Sequence, residues 1–372
     1  MKNKNIEELE ATRMDPINND ITEAHTLTGD FYCSDVIFND IKVKIFERSW
    51  QYICSDDYLQ ENNSAFPFVL LESFISEPLL LVNNKNNINC YSNVCTHRGN
   101  ILIEEKTILN KNIVCNYHGK SFDKEGKFVF MPETDGMKNF PCSNDDLTKI
   151  NVEKFFRFIF ISLDPVVPFE QIINDMKDRV SWMPFNNLVV REDLSKSYEI
   201  DANWALYCDN YLEGFHIPFI HKDLNATLDY KKYDVEIFEY SNLQIGYAEE
   251  NDICFDIPEN SVDHGEKIAA YYFWVFPNMM FNFYPWGISV NVVTPIATKK
   301  TKIEFISFVW DESKLNIGAG ADLDKVELED EEIVQRVQKG VGSRFYKQGR
   351  FSPKMEKGVH HFHTLISKFM FK

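Results

Sequence analysis

The sequence predicts an α+β fold with two domains: a small all-β domain, followed by an antiparallel β-sheet covered by helices on one side. Three observations lead to this prediction. A chain of 372 residues is long for a single domain. From Tyr52 to about Asp164 the chain consists of short apolar or alternating runs separated by Asn, Gly and Pro, as in an all-β domain. Beyond that stretch, strand patterns are interspersed with helical periodicity.

The first elements along the chain define the predicted domain limits. Residues 1–48 are expected to pack on the second domain, and Phe38–Trp50 predicts an amphipathic helix because apolar residues recur at three- and four-residue steps. Apolar runs such as Pro78–Val82 and Lys154–Ile161 predict strands of the all-β domain, residues 49–165. The two prolines of Asp164–Pro168 interrupt regular structure and mark the boundary to residues 166–372.

The second domain is predicted to contain helices and strands in alternation. Helices are expected over Phe169–Val180, Trp204–Phe215, Asp330–Lys339 and Val359–Phe371. Strands are expected near Ser197–Asp201, Val235–Tyr240, Leu243–Ala248, Tyr271–Phe276, Phe281–Tyr284, Ser289–Val293 and Lys302–Trp310. The uncharged run from Ala269 to Thr298 is long enough for a membrane span. Three prolines and a glycine divide it, so it predicts two or three buried strands instead.

Composition and charge exclude several classes of function. A formal charge of −18 argues against nucleic acid or an anionic membrane as partner. It suits a cationic substrate or a basic patch on a partner protein, although acidic surfaces also serve solubility alone. The N-terminus has no apolar segment of a secretory signal, which predicts a cytoplasmic protein. The eight cysteines are then not expected to form a disulfide framework, and six of them are predicted to be small buried side chains.

Two short motifs each combine a cysteine with a histidine, Cys95-Thr-His97-Arg-Gly and Cys115-Asn-Tyr-His118-Gly. Paired loops of this kind can hold a [2Fe–2S] cluster with the cysteines on one iron and the histidines on the other. A Cys₂His₂ zinc site is the alternative, but zinc fingers place both cysteines in one knuckle and both histidines on a helix. Near the glycines that follow the histidines, backbone N–H groups are expected to hydrogen-bond the sulfur atoms.

A second metal site is predicted around His216 and His221. Pro218 is expected to break the helix between them, so that His221 folds back towards His216. With one carboxylate, two histidines form the facial triad that binds non-haem Fe(II) and leaves positions for O₂. The candidate carboxylates are Asp209, Glu213, Asp223, Glu327, Glu329, Asp330, Glu331 and Glu332. Glu213, one turn before His216, is better placed to accept a hydrogen bond from that imidazole, and the residues alone do not single out the third ligand.

Together the two sites resemble the large (alpha) subunit of Rieske non-haem iron oxygenases of the ring-hydroxylating type, from about residue 49 to residue 371. In that family the helix with the third iron ligand has Glu-Asp-x-x-Ile followed by Val-Gln-x-Gly, which matches residues 329–333 and 337–340. The resemblance therefore implies Asp330 as an iron ligand with His216 and His221. It also implies that Glu213 bridges the mononuclear iron to a Rieske histidine of the neighbouring subunit in a homotrimer.

The resemblance names residues 49–165 as the Rieske domain and 166–372 as the catalytic mononuclear-iron domain. It has departures: Lys120 stands where many members have Trp, Ala205 where Lys is common, and Phe215 where Tyr is frequent. None of them is a proposed ligand. The histidines at 360, 361 and 363 are predicted to be structural.

The resemblance implies a terminal oxygenase that activates O₂ with one electron from the cluster and one from the mononuclear iron. The chain has no G-x-G-x-x-G after a strand and no plant-type ferredoxin spacing, so NAD(P)H and flavin chemistry are expected on a separate reductase. The stretch from Cys208 to His221 resembles the choline and betaine-type monooxygenase branch. It predicts hydroxylation or demethylation of a small quaternary amine such as choline, glycine betaine or carnitine, with aromatic side chains for cation–π contact.

Two alternatives stay open. One is a ring-hydroxylating dioxygenase or an O-demethylase that acts on an aromatic acid. The other is a Rieske electron carrier without catalysis, which leaves the C-terminal half and both His216 and His221 without a role.

Overall fold

The computed structural model describes residues 15–220, 234–248, 252–320 and 323–371. The chain forms two compact units, one of residues 47–166 and one that comprises the described parts of residues 1–46 and 167–372. The limits predicted from the sequence, at 48/49 and 165/166, lie within two residues of these.

The unit of residues 47–166 is built from short strands, and the predicted all-β architecture is confirmed. The strands are β1 Gln51–Ser55, β2 Ser64–Leu70, β3 Glu77–Asn84, β4 Asn87–Ser92, β5 Thr107–Ile108, β6 Ile113–Val114, β7 Ser121–Phe122, β8 Phe128–Phe130, β9 Lys149–Phe155 and β10 Phe158–Ser162. Seven of them form an antiparallel sheet in the order β1-β10-β9-β4-β3-β2-β5, and β6-β7-β8 form a small second sheet. The apolar run Leu79–Val82 in β3 is fully buried, and because successive side chains point to opposite faces, this strand is covered on both faces.

The second unit contains six α-helices and eight strands within its described residues. The helices are α1 Asp35–Ile41, α2 Phe169–Val180, α3 Trp204–Tyr211, α4 Ile217–Ile220, α5 Leu323–Val341 and α6 Lys357–Met370. The strands are β11 Val189–Val190, β12 Lys196–Ile200, β13 Asp234–Ile237, β14 Ser241–Tyr247, β15 Ile268–Val275, β16 Met279–Tyr284, β17 Gly287–Ala297 and β18 Lys300–Val309.

These strands form one antiparallel sheet in the order β11-β18-β17-β16-β15-β14-β13, with β12 also paired to β18. The uncharged run 269–298 supplies β15, β16 and β17, which are almost entirely buried. The prediction of buried strands there is confirmed, as is the α+β class. Within the described ranges, no helix has the length and apolar character needed to cross a membrane. The cytoplasmic location stays a prediction.

Several predicted helix limits differ from those in the structure. The helix expected over Phe38–Trp50 begins earlier, because Ser34 accepts a hydrogen bond from the N–H of Ile37 as an N-cap, and after α1 it continues only as a π-turn over Lys42–Phe46. Helix α5 begins seven residues before the predicted Asp330. Apolar periodicity locates the buried face of a helix better than its ends.

An aromatic core holds the helices of the second unit on its sheet. Trp204 of α3 contacts Phe46 and Phe362 edge to face, with centroid distances of 5.0 and 5.6 Å. Phe362 of α6 in turn contacts Trp274 of β15 at 5.2 Å. The C-terminal helix α6 therefore contacts both α3 and the central sheet.

The cysteines outside the two motifs do not all behave as predicted. Cys54, Cys90 and Cys208 are buried, and burial raises the pKa of Cys54 to about 12. Cys142 is exposed, because it lies at the start of the surface turn Ser143–Asp145, and Cys33 and Cys254 are only partly buried. The prediction of a buried side chain is therefore wrong at these three positions.

Candidate metal centres

Two loops with the same backbone geometry carry the cysteine–histidine motifs. In the first, the N–H of Cys95 donates to the Asn100 carbonyl (2.8 Å) and the N–H of Gly99 to the Cys95 carbonyl (3.0 Å). In the second, the N–H of Cys115 donates to the carbonyl of residue 120 (2.9 Å) and the N–H of Gly119 to the Cys115 carbonyl (3.0 Å). The two glycines have φ of 72° and 75°, a left-handed conformation that side chains with a Cβ rarely adopt. The turn itself therefore requires glycine after each histidine.

The two thiols lie side by side at the base of these loops. Cys95 and Cys115 are each 2% exposed, and their side chains hydrogen-bond each other. Backbone N–H groups of His97 and Arg98 donate to the Cys95 sulfur, and those of residues 117 and 118 donate to the Cys115 sulfur. The donors are thus the residues before each glycine, while the glycine N–H groups close the turns.

These surroundings act differently on the two thiols. Burial raises the pKa of Cys95. Burial also opposes ionisation of Cys115, but its N–H donors, the Cys95 thiol and the Asn100 amide (Nδ2 to Sγ 3.7 Å) outweigh it and lower the pKa of Cys115.

The two imidazoles form a second pair. The ring centroids of His97 and His118 are 4.8 Å apart. Nδ1 of His118 is buried and has no hydrogen-bond partner within the described residues. This nitrogen is therefore available to bind a metal. Burial lowers the pKa of His97, and the nearby charges of His118, Arg98 and Lys120 lower it further, which favours the neutral form that binds metals. A pair of thiols beside a pair of imidazoles fits a [2Fe–2S] cluster of the Rieske type.

Helix α3 positions the first residues of the second site. Asn203 is its N-cap: the side-chain oxygen accepts the N–H of Ala205 (3.0 Å), while the side-chain amide donates to the Thr298 carbonyl (2.8 Å). The cap fixes where the helix begins, and therefore which face carries Tyr207 and Tyr211.

The helical structure is interrupted between α3 and α4, where Glu213 and His216 lie. Glu213 Oε1 is 2.7 Å from His216 Nδ1, and Oε2 accepts hydrogen bonds from the backbone N–H groups of Phe215 and His216. The predicted helix over Trp204–Phe215 therefore ends at Tyr211, because the Glu213 side chain caps a new turn. The hydrogen bond expected between Glu213 and His216 is present.

The expected break at Pro218 is wrong. Pro218 lies in the first turn of α4, where no backbone N–H is needed, and the His216 carbonyl accepts the N–H groups of Phe219 and Ile220. His221 follows directly and lies outside the described residues, as does Asp223.

Asp330 of α5 lies opposite His216. Its Oδ1 is 3.5 Å from His216 Nε2, the ring nitrogen that Glu213 does not engage. Both side chains are partly buried, with 14% and 18% of their surfaces exposed. Two of the three predicted iron ligands are thus adjacent, and the described residues contain no complete group of three metal-binding side chains. The donor set, an imidazole and a carboxylate, fits part of an Fe(II) site.

Most of the other candidate carboxylates bind protein groups instead. Asp209 accepts hydrogen bonds from Tyr32 (2.8 Å) and from His363 Nε2 (2.8 Å). His363 Nδ1 accepts the N–H of Leu27 (3.1 Å), which assigns this histidine the structural role that the sequence predicts. Glu332 pairs with Arg336 on the exposed side of α5.

A mostly buried aromatic cluster lies near Glu327 of α5. Tyr284 contacts Tyr272 edge to face (5.9 Å) and stacks on Trp286 (5.0 Å). Tyr207 donates to Glu327 Oε2 (2.6 Å), one helical turn before Asp330. Burial raises the pKa of Tyr207, and the charges of Glu327 and Asp330 raise it further.

The charge of Glu327 also reaches the aromatic cluster. Burial raises the pKa of Tyr284, and Tyr272, Tyr211 and Glu327 add to the effect. Tyr207 and Tyr211 are not among the site residues predicted from the sequence, although their four-residue spacing on α3 indicates one helix face.

Two family models match the chain. Residues 49–141 match the Rieske [2Fe-2S] domain, and residues 187–371 match the ring hydroxylating alpha subunit (catalytic domain). Among curated proteins, chloroplastic choline monooxygenase of Arabidopsis thaliana is 27% identical over 93% of this chain and 83% of its own length. The carnitine monooxygenase oxygenase subunit of Escherichia coli (strain K12) is 26% identical over 93% and 94%.

Solved structures show the same fold. The quaternary ammonium Rieske monooxygenase CntA in complex with L-carnitine superposes with a TM-score of 0.73 at 23% identity, over 94% of this chain and 97% of that one. Naphthalene 1,2-dioxygenase from Rhodococcus sp. gives a TM-score of 0.70 at 16% identity, over 93% and 94%.

The paired Cys–His loops, the His216–Asp330 pair and both family matches agree on one assignment. This chain joins a Rieske [2Fe–2S] domain to a ring-hydroxylating alpha-subunit catalytic domain and belongs to the Rieske non-haem iron oxygenases.

Proposed function

We propose that this oxygenase hydroxylates or demethylates a small quaternary amine of the choline, glycine betaine or carnitine type. The observation that carries the proposal is the aromatic cluster of Tyr272, Tyr284 and Trp286, together with the nearby carboxylate of Glu327, which lies one helical turn before Asp330. Aromatic faces and a carboxylate attract a quaternary ammonium group, which offers no hydrogen-bond donor. The names of the curated relatives support the same substrate class.

The proposed roles of the chain's own residues rest on the family resemblance and, for the described residues, on their contacts. His216, His221 and Asp330 would hold the mononuclear iron, and Cys95, Cys115, His97 and His118 would hold the cluster. When bound, these groups supply the two electrons that O₂ activation needs. Glu213 fixes the ring of His216 through Nδ1, so that Nε2 is directed to the metal position. Tyr207 holds Glu327 in place beside the substrate site.

The same proposal includes the partners. A separate reductase is expected to deliver electrons from NAD(P)H, since the related Escherichia coli protein is named an oxygenase subunit. We propose a head-to-tail homotrimer in which the cluster of one subunit serves the iron of the next, with Glu213 as the bridging carboxylate.

The substrate class can be tested by O₂ consumption and product analysis with a generic reductase and NADH. Choline, glycine betaine and carnitine are compared with a panel of aromatic acids at equal concentrations. Coupled turnover is expected with at least one quaternary amine. Turnover of the aromatic acids alone would contradict the proposal and support the competing ring hydroxylase or O-demethylase.

A matched variant separates catalysis from electron transfer. His216→Ala is expected to keep the visible and EPR signals of the cluster and to abolish product, because only the mononuclear site loses a ligand. Retained turnover in this variant would refute the iron site, whereas loss of the cluster signals would indicate misfolding.

A further inference from the structure

We propose that Lys120, paired with Asp145, is a positioning residue that sets the reduction potential of the [2Fe–2S] cluster. The inference depends only on the cluster and is independent of the substrate proposed above. Lys120 is only 1% exposed, and its side chain is not among the proposed ligands of the cluster or of the iron.

The surroundings of Lys120 keep its charge in one place. Its Nζ lies 2.9 Å from Asp145 Oδ1. The rings of Phe122, Phe128 and Phe140 enclose the same ammonium group, at 5.8, 5.3 and 5.8 Å from Nζ to the ring centroids. Three aromatic faces and a carboxylate stabilise a buried ammonium group, whose removal from water is otherwise costly.

Both cluster loops are tied to this ion pair. The backbone carbonyl of Lys120 accepts the N–H of Cys115 and closes the second loop. The backbone carbonyl of Asp145 accepts the hydroxyl of Thr96 (2.9 Å), and Thr96 stands between Cys95 and His97 in the first loop. The Asp145 side chain is held in turn by the N–H of Cys142 (2.9 Å). The two charges therefore keep a fixed distance from the cluster position.

A fixed charge near a redox centre changes its potential in a known direction. Reduction adds one negative charge to the cluster, so a nearby ammonium group favours the reduced form and raises the potential. The carboxylate of Asp145 has the opposite effect. Because the Lys120 side chain is buried and that of Asp145 is only 17% exposed, solvent screens these charges less than it screens charges on the surface.

The test is a redox titration of the full chain with its cluster, followed by EPR and visible circular dichroism. Lys120→Met is expected to lower the midpoint potential, by roughly a tenfold change in the one-electron reduction equilibrium, or about 59 mV. Asp145→Asn is expected to raise it, and the double variant should lie between the two.

A surface ion pair of the same unit provides the control. Lys127 pairs with Asp146 at 2.9 Å, but its side chain is 66% exposed. Lys127→Met should leave the potential unchanged.

The essential result is that Lys120→Met and Asp145→Asn shift the midpoint potential in opposite directions. A potential that moves in the same direction in both variants, or in neither, would show that the pair only holds the loops together and would overturn the proposal. If Lys120→Met loses iron and sulfide, Asp145→Asn decides alone: it keeps the ammonium group, and a potential that does not rise would contradict the inference.

Discussion

At the residue scale, Glu213 has two proposed roles that can be measured separately. Its carboxylate orients His216 through Nδ1, and it is the proposed bridge to the neighbouring cluster. Glu213→Gln keeps an oxygen of similar shape but loses the charge. We expect roughly a 10- to 100-fold loss of turnover, as is usual when the partner of a metal-binding histidine is changed.

The measurement for Glu213→Gln has two parts. Bound iron reports on the orientation of His216, and the rate at which a pre-reduced cluster is oxidised in a single turnover reports on the bridge. Glu332→Gln is the control, because Glu332 lies on the exposed side of α5 and pairs with Arg336. Unchanged iron content together with an unchanged oxidation rate would remove Glu213 from the mechanism.

Part of the site could be predicted from the residues alone. The spacing of Cys95, His97, Cys115 and His118 suffices, because each pair lies in one short loop. Asp330 is different: it is more than 100 residues from His216, and the acidic run around it resembles any solvated helix start. Only the family resemblance singles it out, since no local rule reports which face of α5 meets α3.

The Lys120–Asp145 pair shows the same limit. Both residues are ordinary in the sequence, and only the fold shows that the lysine is buried and paired. A buried charge cannot be distinguished from an exposed one without the tertiary contacts that bury it.

At the scale of elements, helix α6 carries a pH-sensitive histidine. Burial lowers the pKa of His361 to about 4, with smaller contributions from the charges of His360 and Lys368, while a hydrogen bond to the Glu239 carbonyl opposes them. The unfolded chain binds a proton there below about pH 6.5, and the folded chain only below about pH 4. Between these values the unfolded state holds more protons, so the stability of the fold decreases as the pH falls.

Replacement of His361 should remove this dependence. From pH 7 to pH 5, the free energy of unfolding of the wild type is expected to fall by about 2 kcal/mol more than that of His361→Phe. Urea unfolding at both pH values gives the difference, and His361→Gln, which does not titrate either, should show the same reduced dependence. Equal losses in all three proteins would mean that His361 is already protonated in the folded state at pH 5.

The elements themselves were predictable where a single face is apolar, and less so at their ends. The strands of the run 269–298 follow from its prolines and from its aromatic and β-branched residues. The end of α3 does not, because a side chain, Glu213, captures the N–H groups that would have continued the helix. Such capture depends on the position of the side chain in three dimensions, and periodicity carries no information about it.

At the scale of the whole molecule, the proposed trimer predicts that electrons pass between subunits. Two variants that each retain one of the two metal sites can test this. Cys95→Ser removes a cluster ligand and leaves the iron site, whereas His216→Ala removes an iron ligand and leaves the cluster. Each variant alone should be inactive. If electrons pass from one subunit to the next, mixed trimers contain junctions with an intact cluster on one side and an intact iron site on the other.

Co-expression of the two variants should therefore give mixed trimers with about one third of the wild-type activity, because each ring that contains both variants has one productive junction among its three. The assay is coupled O₂ consumption by mixed trimers purified through two different tags. Mixing of the separately purified trimers is the control, and it should stay inactive where subunits do not exchange. Inactive mixed trimers that retain both iron and cluster would show that electrons move within one chain and would exclude the head-to-tail route.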